Sequence, residues 1–206
     1  VLLVYKQIEL MFDDEGNIVW PDGERKTITV SYDEKPGIQA IANVAQDQLP
    51  TEQHGFIARD SEYKRLGTIS LLAGIDLLTG EIIPQISDTH KSADFIAFLK
   101  VLDQKYDPAD KIRIILDNHS IHTSKETRKY LETVPDRFEF VFTPTHGSWL
   151  NLIESFFGKL ARVCLRGIRV KTKDELAERI YRYIAEVNAD PVIYRWTYKI
   201  DEVNVS

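Results

Sequence analysis

KIRIILDNHSIHTSKETRKYLE, residues 111–132, decides the fold. It opens on a near-continuous apolar run, Lys111 to Leu116, the pattern of a strand covered on both faces of a sheet. An acid, Asp117, follows directly, with His119 and His122 just beyond. Thr123-x-x-Glu126 then predicts a capping box opening a helix that runs to about Val134. Strand, turn and helix in this order form the unit of a layered α/β sheet. The turn accounts for an Asp by itself, because Asp and Asn bond the nearby backbone. A metal ligand at the strand mouth is the competing reading, and the rest of the chain has to decide between them.

Outward from that stretch the same signals repeat. Phe138 to Phe142 predicts another strand, stopped by Thr143-Pro144, and 150–165 predicts a helix. Thr172-x-x-Glu175 caps a last helix with Leu176, Ile180, Ile184 and Val187 on one face. Upstream, Phe95, Phe98, Leu99 and Leu102 fall at helical spacing and predict a helix over 92–105. Residues 68–78 and 81–86 flank Thr79-Gly80 as a hairpin. The β-branched alternation from Thr27 predicts a strand ending at Asp33, and 35–66 read mostly as loop. Residues 1–12 suggest a short amphipathic helix. The order predicts an α/β layer fold with a mixed central sheet of about five strands and helices on both faces.

Composition is that of one globular core: 206 residues, 43% hydrophobic and 28% charged. A single cysteine, Cys164, excludes an internal disulfide framework and a cysteine-rich zinc site, and fits a reducing, cytoplasmic setting. No apolar run approaches the roughly 20 residues of a membrane helix, and no signal peptide is visible. The sequence begins with Val and its sole Met is Met11, which suggests a piece with something before Val1. The net charge of −6 is uneven: residues 1–110 hold 10 Lys+Arg against 19 Asp+Glu, and residues 111–206 hold 16 against 13. Between Ser155 and Lys173 stand Lys159, Arg162, Arg166, Arg169, Lys171 and Lys173 with no acid. Screening cuts off distant charge within about 8–10 Å, so such a run can track phosphates on an acidic protein. It can equally be a solvated helix face.

Three acids stand out as a set. Asp33 ends one predicted strand and Asp117 another. Glu154 sits in a helix among Leu150, Ile153, Phe157, Gly158 and Ala161. Half surrounded by apolar surface, that carboxylate would cost several kcal/mol unless paired, and a cation would pair it. Magnesium favours a few carboxylate oxygens, and two ions about 4 Å apart can stabilise both oxygens of an in-line phosphoryl displacement. His119 and His122 either touch that site or simply pack the turn.

At these residues the chain resembles the DDE transposases of the IS630/Tc1/mariner superfamily, specifically the IS630-like branch. The matching motifs are SYDEKPGIQAI (31–41), LDNHSIHTSK (116–125) and THGSWLNLIESFFGKL (145–160), with Tyr194-Arg195-Trp196-Thr197 like the family's closing segment. The resemblance runs from about Thr27 to the end. It implies an RNase H-like catalytic domain over 27–206, preceded by residues 1–26 as a linker left from an N-terminal DNA-binding region. It assigns the catalytic, metal-holding acids to Asp33, Asp117 and Glu154, with Glu34, Asn118, His119 and His122 in support. Thirty-six residues (154 − 117 − 1) separate the last two acids, slightly more than is usual for the family. The implied activity is DNA transposition: two Mg²⁺ (or Mn²⁺) ions, endonuclease cleavage of transposon ends, and strand transfer into target DNA at TA sites. The implied partners are DNA and a second copy of the chain in a homodimer. DNA contacts are expected from Lys35, Lys125, Arg128, His146, Trp149, Lys159, Arg162, Arg166 and Arg169, the last four along one side of a helix. A hydrolytic nuclease on the same fold and a non-enzymatic DNA-binding or scaffold domain are the alternatives.

Overall fold

The computed structural model describes residues 1–20, 23, 25–45, 52, 55, 56, 62–145, 147 and 150–194. Its strands are β1 (Thr27–Asn43), β2 (Tyr63–Asp76), β3 (Ile82–Ser87), β4 (Lys111–Leu116) and β5 (Phe138–Phe142). They form one sheet in the order β3-β2-β1-β4-β5. β1, β2 and β3 pair antiparallel, whereas β4 and β5 run parallel to β1, so the sheet is mixed as expected.

Among the described residues, helices α1 (Leu2–Glu9), α2 (Ser92–Lys105), α3 (Lys125–Leu131), α4 (Ile153–Leu160) and α5 (Lys173–Ala189) cover its two faces. On one face Phe95, Phe98, Leu99 and Leu102 of α2 pack on Val30, Tyr32, Ile112, Ile114 and Leu116. On the other, α1, α4 and α5 bury Tyr5, Ile8, Ile153, Phe156, Leu160, Leu176, Ile180 and Ile184 against Leu71, Ala73, Ile75 and Ile115. β4 feeds both cores, which is why its sequence is apolar without alternation. No helix among the described residues is long and apolar enough to cross a membrane.

Three expectations are corrected. β1 does not stop at Asp33. Its pairing steps from Lys35↔Leu71 to Ile38↔Ile69 across a bulge at Pro36-Gly37, with Gly37 at φ 68°, and Ile38 and Ala40 beyond it are buried. A bulge is one of the few places a strand accepts proline, which lacks the N–H a regular ladder needs. The cap of α3 is Ser124, whose hydroxyl accepts from the Thr127 amide at 3.1 Å; Thr123 belongs to a preceding 3₁₀ turn, and α3 ends at Leu131. The helix expected over 150–165 is regular only in α4, then winds wider as a π-helical turn over Ala161–Leu165 and stops. The short helix expected at the start is present as α1, and it packs against the sheet. Tyr5 and Ile8 are buried in the shared core, and the Tyr5 hydroxyl donates to the Leu150 carbonyl at 2.5 Å.

Candidate active site

β1 and β4 pair in parallel, Thr27 opposite Lys111 and Ser31 opposite Ile115. Asp117 follows directly on the end of β4, two residues past that last pair, as Asp33 follows Ser31, and its charge acts on the Asp33 carboxyl. The Glu34 amide donates to Asp33 Oδ1 at 2.8 Å, and the His119 amide to Asp117 Oδ1 at 2.9 Å.

The third acid is brought in by a buried asparagine. Asn151 Nδ2 donates to the Tyr32 carbonyl at 2.7 Å and lies 3.4 Å from Asp33 Oδ2. Its Oδ1 accepts from the Ser31 hydroxyl, whose oxygen in turn accepts from the Ile153 amide at 3.2 Å. Asn151 thus bolts the start of α4 onto β1 at Asp33. Glu154 stands in the first turn of α4, its amide donating to the Asn151 carbonyl at 3.2 Å, where the helix dipole favours negative charge.

Burial pushes the Asp33 carboxyl up to about 8, and the negative charges of Glu34, Glu154 and Asp117 push the same way, opposed by the Glu34 amide. Sequence reasoning placed the desolvated carboxylate at Glu154. The structure places it at Asp33, while Glu154 is exposed because it faces out from the helix rim. Among the described residues, no three His, Cys, Asp or Glu side chains are gathered tightly enough to hold a metal ion. Even so, a buried carboxyl under the field of three other acids is the donor chemistry that a divalent cation relieves, so the set fits one.

His122 is buried at 1% exposure and links the two strand ends. Its Nδ1 donates to the Asp117 carbonyl at 3.0 Å and sits 3.3 Å from Asp117 Oδ1. Its Nε2 faces Glu34 Oε1 at 3.1 Å, to which the Tyr32 hydroxyl also donates at 2.8 Å. Burial raises Glu34, but the hydrogen bonds from His122 and Tyr32 outweigh it and hold its carboxyl below the ordinary range. The ring packs on Phe95, centroids 4.7 Å apart. Asn118 donates to the Thr143 carbonyl at 2.7 Å, fastening the turn to the end of β5, and the His119 side chain is exposed.

The expected DNA contacts are scattered more widely than foreseen. Lys35 follows Asp33 and Glu34 on β1, its Nζ 5.9 Å from the Phe157 ring centre. Lys125 and Arg128 are exposed on α3. The four later residues do not share one helix side. Lys159 borders a cleft with Gly80, Tyr183 and Val187, toward α5; Arg162 is exposed beside Gly158; Arg166 stands past the helix end in extended backbone; Arg169 lies beyond the Gly167 turn. His146 and Trp149 lie outside the described residues. Sequence reasoning missed Asn151 and Ser31, although an Asn just ahead of a helix is a recognisable start signal.

The sequence is 28% identical over 163 residues to the "Insertion element IS630 uncharacterized 39 kDa protein" of Shigella sonnei, an alignment covering 79% of this chain and 46% of that protein. The chain therefore spans about half the length of that curated relative. In fold it is similar to the Mos1 strand transfer complex (TM-score 0.55, 12% identity, 94% of this chain and 53% of that one). It is also similar to the Mos1 transposase catalytic domain solved with raltegravir and Mg (TM-score 0.53, 14% identity, 93% and 84%). These likenesses make the fold RNase H-like, as the resemblance implied. The family described as DDE superfamily endonuclease matches residues 22–177, a span holding Asp33, Asp117, Asn151 and Glu154, and the chain belongs to that family.

Proposed function

We propose that this chain is the catalytic domain of a transposase that cleaves DNA phosphodiester bonds at the ends of a mobile element and transfers the freed 3′ end to target DNA. One observation carries the reading most: Asp33, raised to about 8, lies under the combined charge of Glu34, Glu154 and Asp117 on a frame fixed by Asn151. Asp33 and Asp117 would hold a divalent cation between the strand ends, and Glu154, exposed at the rim, would complete the set for two. Mg²⁺ or Mn²⁺ bound there would supply Lewis-acid neutralisation of charge developing on the phosphoryl oxygens. The protein's own groups do the positioning. The Glu34 amide and Asn151 fix Asp33, His122 holds the Asp117 turn against β1, and Lys35 and Arg162 offer charge to the DNA backbone. Lys125, Arg128, Lys159, Arg166 and Arg169, with His146 and Trp149, complete the proposed DNA contacts. TA target sites and a homodimeric complex belong to the same proposal, as does a cytoplasmic location.

The test is an assay of cleavage and joining on supercoiled plasmid with a labelled duplex bearing a free 3′-hydroxyl, in Mg²⁺ or Mn²⁺. Nicked and joined products that vanish in Asp117→Asn, with the fold intact, support the proposal. Nicking without joining makes the chain a hydrolytic nuclease, and neither product refutes catalysis.

A further inference from the structure

We propose that the far end of the β1–β2 hairpin carries a second DNA contact, built from Tyr63, Arg65 and Arg169, that holds the duplex backbone about 25 Å from the catalytic carboxylates. The proposal rests on the DNA-cutting function above. It starts from the two departures of the structure from expectation: β1 continues past Asp33, and Arg169 leaves the helix.

Beyond the Pro36-Gly37 bulge, β1 has outrun β4, whose pairing with it ends at Ser31↔Ile115. The chain leaving α4 turns at Gly167, φ 68°, and lies along β1, the Val170 amide donating to the Ile41 carbonyl at 2.8 Å. That return brings the Arg169 guanidinium to 6.0 Å from the Tyr63 ring centre, and Arg65 lies 5.9 Å from the same ring. Tyr63 is 45% exposed. Arg169 Nη1 donates to the Ile168 carbonyl at 3.1 Å, while its Nε meets no acceptor among the described residues. Two guanidinium groups thus gather about one half-exposed aromatic ring, and like charges so placed favour an anion beside them.

Arg169 also stands between two shallow clefts. One runs back between Gly37 and Gly167 to Lys35, beside the catalytic centre. The other continues past Val170 to Lys171 and Arg179. The acid in that second wall, Glu175, is already engaged by Arg179 at 2.6 Å and by the Lys171 amide at 2.7 Å. Nothing lies within 4 Å of a Cβ built on Gly37, so the wall there is bare backbone that a phosphate chain can approach. On a chain of net charge −6, this is a positive line that begins at the acidic centre and leads away from it. Charge complementarity names a polyanion as the occupant, and the line's start at Lys35 names DNA engaged at the carboxylates. Asp33 to Ile41 is eight residues of strand, about 25 Å at roughly 3.3 Å each, and B-DNA advances about 3.4 Å per base pair. The contact therefore falls about seven base pairs from the scissile phosphate.

The experiment compares this chain with its Arg65→Ala/Arg169→Ala variant, in EDTA, on random-sequence duplexes of about 6 and about 20 base pairs across a salt series. Only the longer duplex can span both contacts. In wild type it gains affinity beyond the number of added registers; in the variant that extra gain falls at least about tenfold, and the salt slope on the long duplex drops by about two. Tyr63→Phe retains the gain and Tyr63→Ala loses part of it. An unchanged gain and slope in the variant overturns the proposal. So does a variant that binds DNA normally but changes oligomeric state, which would make this surface a protein interface. The cleavage assay reads separately: wild type that shows the length-dependent gain yet never cuts DNA would refute the catalytic function and not the contact.

Discussion

Replacing Asp33 with Asn should stabilise the fold near neutral pH while destroying its response to divalent cations. Burial pushes the folded carboxyl up to about 8, against an ordinary value of 3.8. Because the folded value is the higher one, the associated stability is complete below about pH 4 and is lost as pH rises through about 8. At pH 7 the unfolded chain has released this proton and the folded chain has kept it. Three pKa units at 1.36 kcal/mol each set a ceiling of about 4 kcal/mol. Solvent reaching the site and sharing of protons among the four acids reduce this to about 2 kcal/mol. Asn keeps the shape and still accepts from the Glu34 amide, so little packing is lost. Urea unfolding from pH 4 to pH 9 in EDTA reads the effect: the variant should lead by about 2 kcal/mol at pH 7–8, with the gap closing toward pH 4. Saturating Mg²⁺ should then stabilise wild type alone, since a ligand of the native state shifts unfolding by mass action. Coincident curves at every pH, or a variant less stable than wild type at pH 8 in EDTA, would refute the electrostatic account of the site.

Three further outcomes follow from the hydrogen bonds of single polar side chains. His122→Ala leaves Glu34 buried without its imidazole partner and should cost about 3 kcal/mol in urea unfolding; Asn at 122, which can still donate to the Asp117 carbonyl, should cost less. Arg137 donates to Asp103 and to the carbonyls of Asp103, Tyr106, Asp107 and Asp110, so Arg137→Lys, which cannot reproduce that fork, should lower the unfolding midpoint nearly as far as Arg137→Ala. Thr172→Ala removes the hydroxyl that accepts from the Glu175 amide at 3.0 Å and should cost about 1 kcal/mol, read by thermal melting.

The parts of the fold legible in sequence are those where one physical signal acts alone. Lys111–Leu116 and Phe138–Phe142 match their expected bounds because an apolar run between polar turns has few other uses. Ser92–Lys105 matches because its four apolar residues at helical spacing all go into one core. Local signals misled where tertiary pairing overrode them. Pro36-Gly37 reads as a turn, yet β2 supplies a partner on both sides of it and the strand continues. Thr123 and Ser124 are both competent caps, and the 3₁₀ turn that places His122 under Asp117 leaves the role to Ser124. The end of α4 is legible too: Gly167 after Arg166 is a helix-stop signal, and it removes Arg169 from the helix. For the proposed site, the three acids are picked out by their places in the sequence. Which of them is desolvated could not, because that depends on Asn151, Tyr32 and Glu34 closing over Asp33.

The most direct test of the central claim, that Asp33, Asp117 and Glu154 act as one cation site, is a calorimetric titration of Mn²⁺ into wild type, Asp33→Asn, Asp117→Asn and Glu154→Gln. The account predicts saturable binding to wild type and at least about tenfold weaker binding in each of the three variants. Wild-type affinity in Glu154→Gln would leave Glu154 outside the site and contradict the account.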